Sequence, residues 1–325
     1  MRKNLWQSLS LSLILVFSAN ANAQTSISVP SDSKFVLQID FQALKSSKVG
    51  SSLFEMAKKA AMDEVGKKID AKDMSIDKIK EVVGMDPFEE IQGIVICASD
   101  YEKPEKSLLG MVRLKKTTGN IEGLLLALPG YTKSEHRNYE IHAASPDKNA
   151  NVFGAIHKNS AGNNTLIVGA NKSSVTGLLD SLDAKAAESK SLKSVELSSD
   201  RKVIAQMQIL ELPIEKLGKG PQANIAALLS SMLVSVSEEE DELEVRAAMQ
   251  TGTDKKAEQI RQSIQGLGAM VELFASMDNQ DDDVKNVLKF IKKIKVTQDG
   301  TAVSVRMRVP SAEIAEMLKK EMNDK

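Results

Sequence analysis

The clearest pattern lies near the end of the chain. Val303, Val305, Met307 and Val309 alternate with Ser304, Arg306 and Arg308, the period of a strand with one buried face. Gln298-Asp299-Gly300 is turn chemistry, so residues 294–297 and 302–309 are expected to form a hairpin. Pro310-Ser311 opens a helix that gathers Ile314, Leu318 and Met322 on one face and sets Glu313 near the positive end of its dipole. This order of strand, turn, strand and helix recurs along the chain.

At the other end, Phe35, Leu37, Ile39 and Phe41 alternate with Val36, Gln38 and Asp40. A helical stretch follows from about residue 46, and a second short helix over 75–83 closes at Gly84. Residues 91–98 are the most apolar strand, and 108–115 return with Arg113 and Lys115 on the polar side. A helix over 118–128 ends at Pro129-Gly130, strands are expected at 139–144, 151–157 and 165–169, and a helix over 172–182 turns Val175, Leu178, Leu179 and Leu182 inward.

Residues 184–197, rich in Ala, Ser and Lys, read as a linker. The pattern then restarts. Pro30-Ser-Asp-Ser-Lys-Phe-Val-Leu-Gln and Ser198-Ser-Asp-Arg-Lys-Val-Ile-Ala-Gln share Ser, Asp, Lys and Gln at matching places. A strand over 203–210, a helical segment to about 229, a hairpin over 232–236 and 243–249 turning at residues 238–241, a long helix over 253–277 and another over 283–292 lead to the closing unit. Each half thus reads strand, helix, hairpin, helix, hairpin, helix, which points to a duplication.

The expected fold class is α+β: two similar domains, each an antiparallel sheet built from hairpins with helices packed on one face. Residues 34–183 form the first unit and 198–325 the second, with 24–33 a polar lead-in. The other sheet face is expected to be polar, carrying Gln38, Asp40, Arg113, Gln206, Gln208, Glu244, Arg246, Arg306 and Arg308.

Composition adds location. Arg2 and Lys3, an apolar core over 9–17 and Ala21-Asn22-Ala23 make residues 1–23 a signal peptide, so the mature chain is expected to begin near Gln24 and to be exported, periplasmic or extracellular. The apolar core is too short for a stable membrane anchor. A hydrophobic content of 42% with 27% charged residues is that of a globular chain, and a net charge of −1 provides no global field for nucleic acid or anionic membrane. The lone Cys97 has no disulfide partner.

The segments VPSDSKFVLQIDFQALKSSKVG, GMDPFEEIQGIVI and TLIVGANKSSVTGLLDSL resemble parts of a loose family of uncharacterised exported proteins common in planctomycete-type bacteria. The resemblance covers most of the first half and implies an exported α+β protein. It carries no activity and no catalytic residue.

Candidate chemistry is sparse. His136, His142 and His157, with Glu135 and Glu140 nearby, are the imidazole and carboxylate material of a zinc site, without HExxH or a cysteine partner. The acidic run over 278–283 lacks the glycine and closing glutamate of a calcium loop, and 238–241 reads as a solvated hairpin tip. No Gly-x-Ser-x-Gly, phosphate loop or dinucleotide fingerprint is present, and Cys97 among Ile94, Val95, Ile96 and Ala98 reads as a packed thiol. Basic residues 289–295 read as cations at a helix end. No cofactor is expected. The polar sheet face remains, with Arg113, Arg246, Arg306 and Arg308 placed to grip an anionic ligand or another exported protein, and Asp40 and Glu244 as their counter-charges. The alternative is a hydrolase whose site is assembled from dispersed residues.

Overall fold

The computed structural model of the protein describes residues 25–68, 80–81, 84, 86–115, 130–147, 150–158, 164–183, 192–197, 203–212, 220–275 and 290–323. Twelve strands form one antiparallel sheet. From one edge to the other they run β13 (Ile294–Asp299), β14 (Ala302–Pro310), β12 (Glu242–Thr251), β11 (Leu229–Glu239), β10 (Val203–Ile209), β2 (Phe35–Asp40), β3 (Ile91–Ala98), β4 (Leu109–Leu114), β8 (Asn164–Gly169), β7 (Ala150–Lys158), β6 (Tyr139–Asp147) and β5 (Thr132–His136). A separate ribbon pairs β1 (Thr25–Pro30) with β9 (Leu192–Leu197).

The expectation of a sheet for each unit is corrected by the seam between β2 and β10, where the two segments join edge to edge. The physical reason lies in β2. Phe35, Leu37 and Ile39 line one face while Val36, next to them, is fully buried on the other, and a strand apolar on both faces belongs inside a sheet. At the seam Gln38 pairs with Gln206, and the buried Gln206 Nε2 donates to Gln38 Oε1 at 3.1 Å. In the ribbon Ile27 pairs with Val195, separated by the same 168 residues as the two glutamines.

The ribbon places Thr25–Pro30 and Leu192–Leu197 in strands, within the stretches read as a polar lead-in over 24–33 and a linker over 184–197, whose residues 184–191 lie outside the described residues. Val29 and Val195 are buried in the first core, and Lys193, paired with Val29, shares their face and donates from its Nζ to the Ser33 carbonyl oxygen.

Six of the helices frame the cores and the sheet faces: α1 (Phe41–Ser46), α2 (Lys48–Lys68), α3 (Lys172–Asp183), α4 (Pro221–Ala226), α5 (Asp254–Ala275) and α6 (Ser311–Asn323). They do not lie on one face. We call the side bearing Val36, Gln38 and Asp40 the front. In the first half the front is core: Val36, Val95, Cys97, Leu109, Met111 and Ile167 pack under Val175, Leu178 and Leu179 of α3 and under the β1/β9 ribbon. In the second half the core lies behind. Leu243 and Val309 pack with Ile204, Ala43 and α6, while Met249 and Val303 pack with Ala257 and Ile260 of α5. The expected helix over 118–128, most of those over 75–83 and 283–292, the acidic run 278–283 and the signal peptide fall outside the described residues. Among the described residues no helix is long and apolar enough to cross a membrane.

Candidate functional site

The ladder registers place all nine expected polar residues on the front, because directly paired residues share a face. The six charged ones form two groups, and Gln38 and Gln206 between them are buried at the seam. Arg113 on β4 and Arg246 on β12 are five strand intervals apart, about 24 Å.

The first group is a structural pair. Asp40 Oδ1 accepts from the backbone N–H groups of Gln42 and Ala43, both at 2.9 Å, and so caps α1. Its other oxygen lies 3.8 Å from Arg113 Nη2. Gly93 stands between them in the ladder, and its missing side chain is the space the guanidinium crosses.

The second group is open to solvent. Arg246, Arg306 and Lys295 stand directly opposite one another on β12, β14 and β13, a row of three cations on adjacent strands. Like charges so placed repel. One carboxylate relieves part of this: Glu244 takes Arg308 Nε at 2.6 Å and Arg306 Nε at 3.4 Å. The hydrogen bond from Arg308 to Glu244 raises the guanidinium pKa above its ordinary value. Arg246 Nε donates to Ser304 Oγ at 3.2 Å. Among the described residues, neither Arg246 nor Lys295 has a salt bridge to a carboxylate.

Two hollows flank Arg308 and Glu242. A groove of about 520 Å³ runs over Gln206, Ser235 and Arg246 and is rimmed by Glu239, Glu240 and Glu244, and a hollow of about 410 Å³ at the sheet edge is lined by Lys293, Lys295, Arg306 and Arg308. Sequence reasoning named Arg246, Arg306, Arg308 and Glu244. Lys295 falls both in the expected strand 294–297 and in the basic run read as a helix end, and was not named with the site; it belongs to β13.

Counting outward from the seam explains why this surface is open. In the first half the front row is Gln38, Val95, Met111, Ile167 and Ala155. The same steps in the second half give Gln206, Ser235, Arg246, Arg306 and Lys295. Where the first half buries apolar side chains beneath α3, this row of the second presents serine and cations, with Glu242 and Glu244 beside it.

The remaining candidates have local partners. His142 is buried, with its Nδ1 2.9 Å from the Tyr131 hydroxyl. His136 Nε2 lies 2.8 Å from Asp180, and His157 Nε2 lies 3.5 Å from Asp183, which also accepts from the Tyr139 hydroxyl at 2.6 Å. Burial and that bond push Tyr139 up to about 12. Among the described residues no three metal-ligating side chains converge. Cys97 is buried. The tip over 238–241 is more than solvated: Glu238 accepts from the Lys48 and Val49 amides at 2.9 and 3.1 Å, and Asp241 pairs with Lys48 Nζ at 2.6 Å, so the tip caps α2.

No protein-family model and no curated protein matches the chain. Solved structures of TP0453 are similar in part. Its crystal form I has a TM-score of 0.39 at 9% identity, covering 90% of this chain and 95% of that one. Crystal form IV has a TM-score of 0.42 at 9% identity, covering 89% and 96%.

Proposed function

We propose that the protein is an exported, non-enzymatic binding or structural component that holds an anionic ligand, or an acidic surface of another exported protein, on the front of its second half. The observation that carries this reading is the row Arg246, Arg306 and Lys295 on an open surface. Three cations side by side disfavour the isolated fold, and an anion laid across them would relieve that repulsion while gaining charge-assisted hydrogen bonds. Arg308 and Glu244 fix the guanidinium planes beside the row. Export rests on the basic start, apolar core and A-x-A site of residues 1–23.

The two segments are read as a duplication, now as halves of one sheet. Matching openings support it, as do the shared 168-residue offset of the Gln38/Gln206 and Ile27/Val195 pairs and the same order of strands outward from the seam. The front of the second half then occupies the position that the first half uses for α3.

Fluorescein-labelled poly-L-glutamate, followed by anisotropy against the mature chain, tests the binding reading. The double variant Arg306→Ala/Arg308→Ala is expected to bind about tenfold more weakly and with a flatter salt dependence. Equal binding by the variant and the parent protein would make this face a solvated surface only.

A further inference from the structure

The two ends of the sheet are built differently. Beyond β7 the first half continues into β6 and β5, whereas β13, the same number of strands from the seam, is outermost among the described residues. Its edge is regular. The turn at Gly300 and Thr301 is two residues long with φ of 53° at Gly300, so Asp299 and Ala302 exchange ladder bonds and the bonding alternates from there. That alternation directs the backbone groups of Ile294, Val296 and Gln298 outward, away from β14. Two dissimilar hollows flank this edge. On the front lies the basic one with Lys293, Lys295 and Arg306. Behind lies an apolar one of about 440 Å³, lined by Leu267, Val271, Ile291, Ile294 and Val296.

We propose that β13 is a docking edge for an extended segment of a partner protein in which acidic and apolar side chains alternate, added to the sheet in the place that β6 takes beside β7. This rests on the anion-holding reading of the front face. An added strand directs successive side chains to opposite faces, so its acidic residues would meet Lys295, beside Lys293 whose Nζ already lies 3.5 Å from Glu313, while its apolar ones entered the hollow behind. The chain contains a worked precedent on the other side of β14. Glu242-Leu243-Glu244-Val245 of β12 sets Glu244 against Arg308 and Arg306 in front and Leu243 against Val309 behind. A second copy of the same chain is disfavoured as the occupant, because it would bring another Lys295 to a basic edge.

The probe is a fluorescein-labelled peptide, acetyl-Glu-Leu-Glu-Val-Glu-Val-amide, titrated into the mature protein. Saturable binding is expected, weakened about tenfold by Lys295→Glu. Two N-methylated versions, one blocked at the glutamate amides and the other at the apolar ones, separate backbone pairing from charge. One of the two must lose binding, since only alternate amides face β13. If both bind like the parent peptide while Arg306→Ala/Arg308→Ala abolishes binding, strand addition fails and the anionic face stands. Equal binding of a Lys-Leu-Lys-Val-Lys-Val peptide, no binding of the acidic one, or a dimer by sedimentation that excludes it would overturn the proposal.

Discussion

The first and second halves of the sheet carry corresponding positions on the same face to opposite ends. Val95, Met111 and Ile167 sit in front, sealed under α3 and the β1/β9 ribbon, while Ser235, Arg246 and Arg306 take the same steps from the seam and meet water. The backbone ladder is alike in both. The difference is which face carries side chains worth burying, because apolar area removed from water stabilises by about 25 cal/mol per Å² whereas burying an unpaired charge is strongly destabilising. A face that packs no core in one half is left open to solvent.

The strongest way to break this comparison is to place the same charge at corresponding points. Val95→Asp puts a carboxylate into the sealed core and is expected to cost several kcal/mol or abolish folding, whereas Ser235→Asp should change stability by about 0.5 kcal/mol or less. Urea unfolding of both variants decides, and equal losses would mean that the front of the second half is not open. Truncations sharpen the contrast. Ile167→Ala should cost about 2–5 kcal/mol and its counterpart Arg306→Ala about 0–1 kcal/mol by the same assay.

The seam offers a smaller effect. Gln38→Leu removes the acceptor of Gln206 Nε2 and is expected to cost about 1–3 kcal/mol. The double replacement Gln38→Leu/Gln206→Leu should recover part of that loss, and a double-mutant cycle with no coupling would remove the glutamine pair as a reason for the register. The smallest effect concerns Cys97, whose counterpart is Ser237. Burial pushes the Cys97 thiol up to about 11 from an ordinary 9.0. The unfolded thiol therefore ionises first, so its contribution is complete below about pH 9 and is lost as pH rises through about 11. Cys97→Ala should flatten that alkaline decline in unfolding titrations; an identical slope would assign the decline to other groups.

Much of the ladder was legible because alternation is a local property. The hairpin of β13 and β14 and the shared face of Arg246, Arg306 and Arg308 follow from side chains two residues apart. The exchange of core faces was not legible. β2 and β3 are apolar on both sides, with Val36 beside Phe35 and Leu37, and Val95 and Cys97 beside Ile94 and Ile96, so alternation does not say which side meets a helix. Nor was the ribbon, since Thr25–Pro30 finds its partner only in Leu192–Leu197, far along the chain. Within the candidate site, Lys295 lies in the expected strand 294–297, but only the register shows that it stands opposite Arg306.

Gly93 ties the halves together in a way that bears on how such a chain can drift. A β-carbon there would lie 2.7 Å from Arg113 Nη2 and 2.9 Å from the Ile39 carbonyl oxygen. To admit it, the guanidinium would have to leave Asp40, the residue that holds the first turn of α1. That turn carries Ala43, which packs against Ile204, Leu243 and Val309 in the opposite half. A methyl group added at Gly93 in the first half would thus act as a defect in the second, so the two halves are not free to change separately.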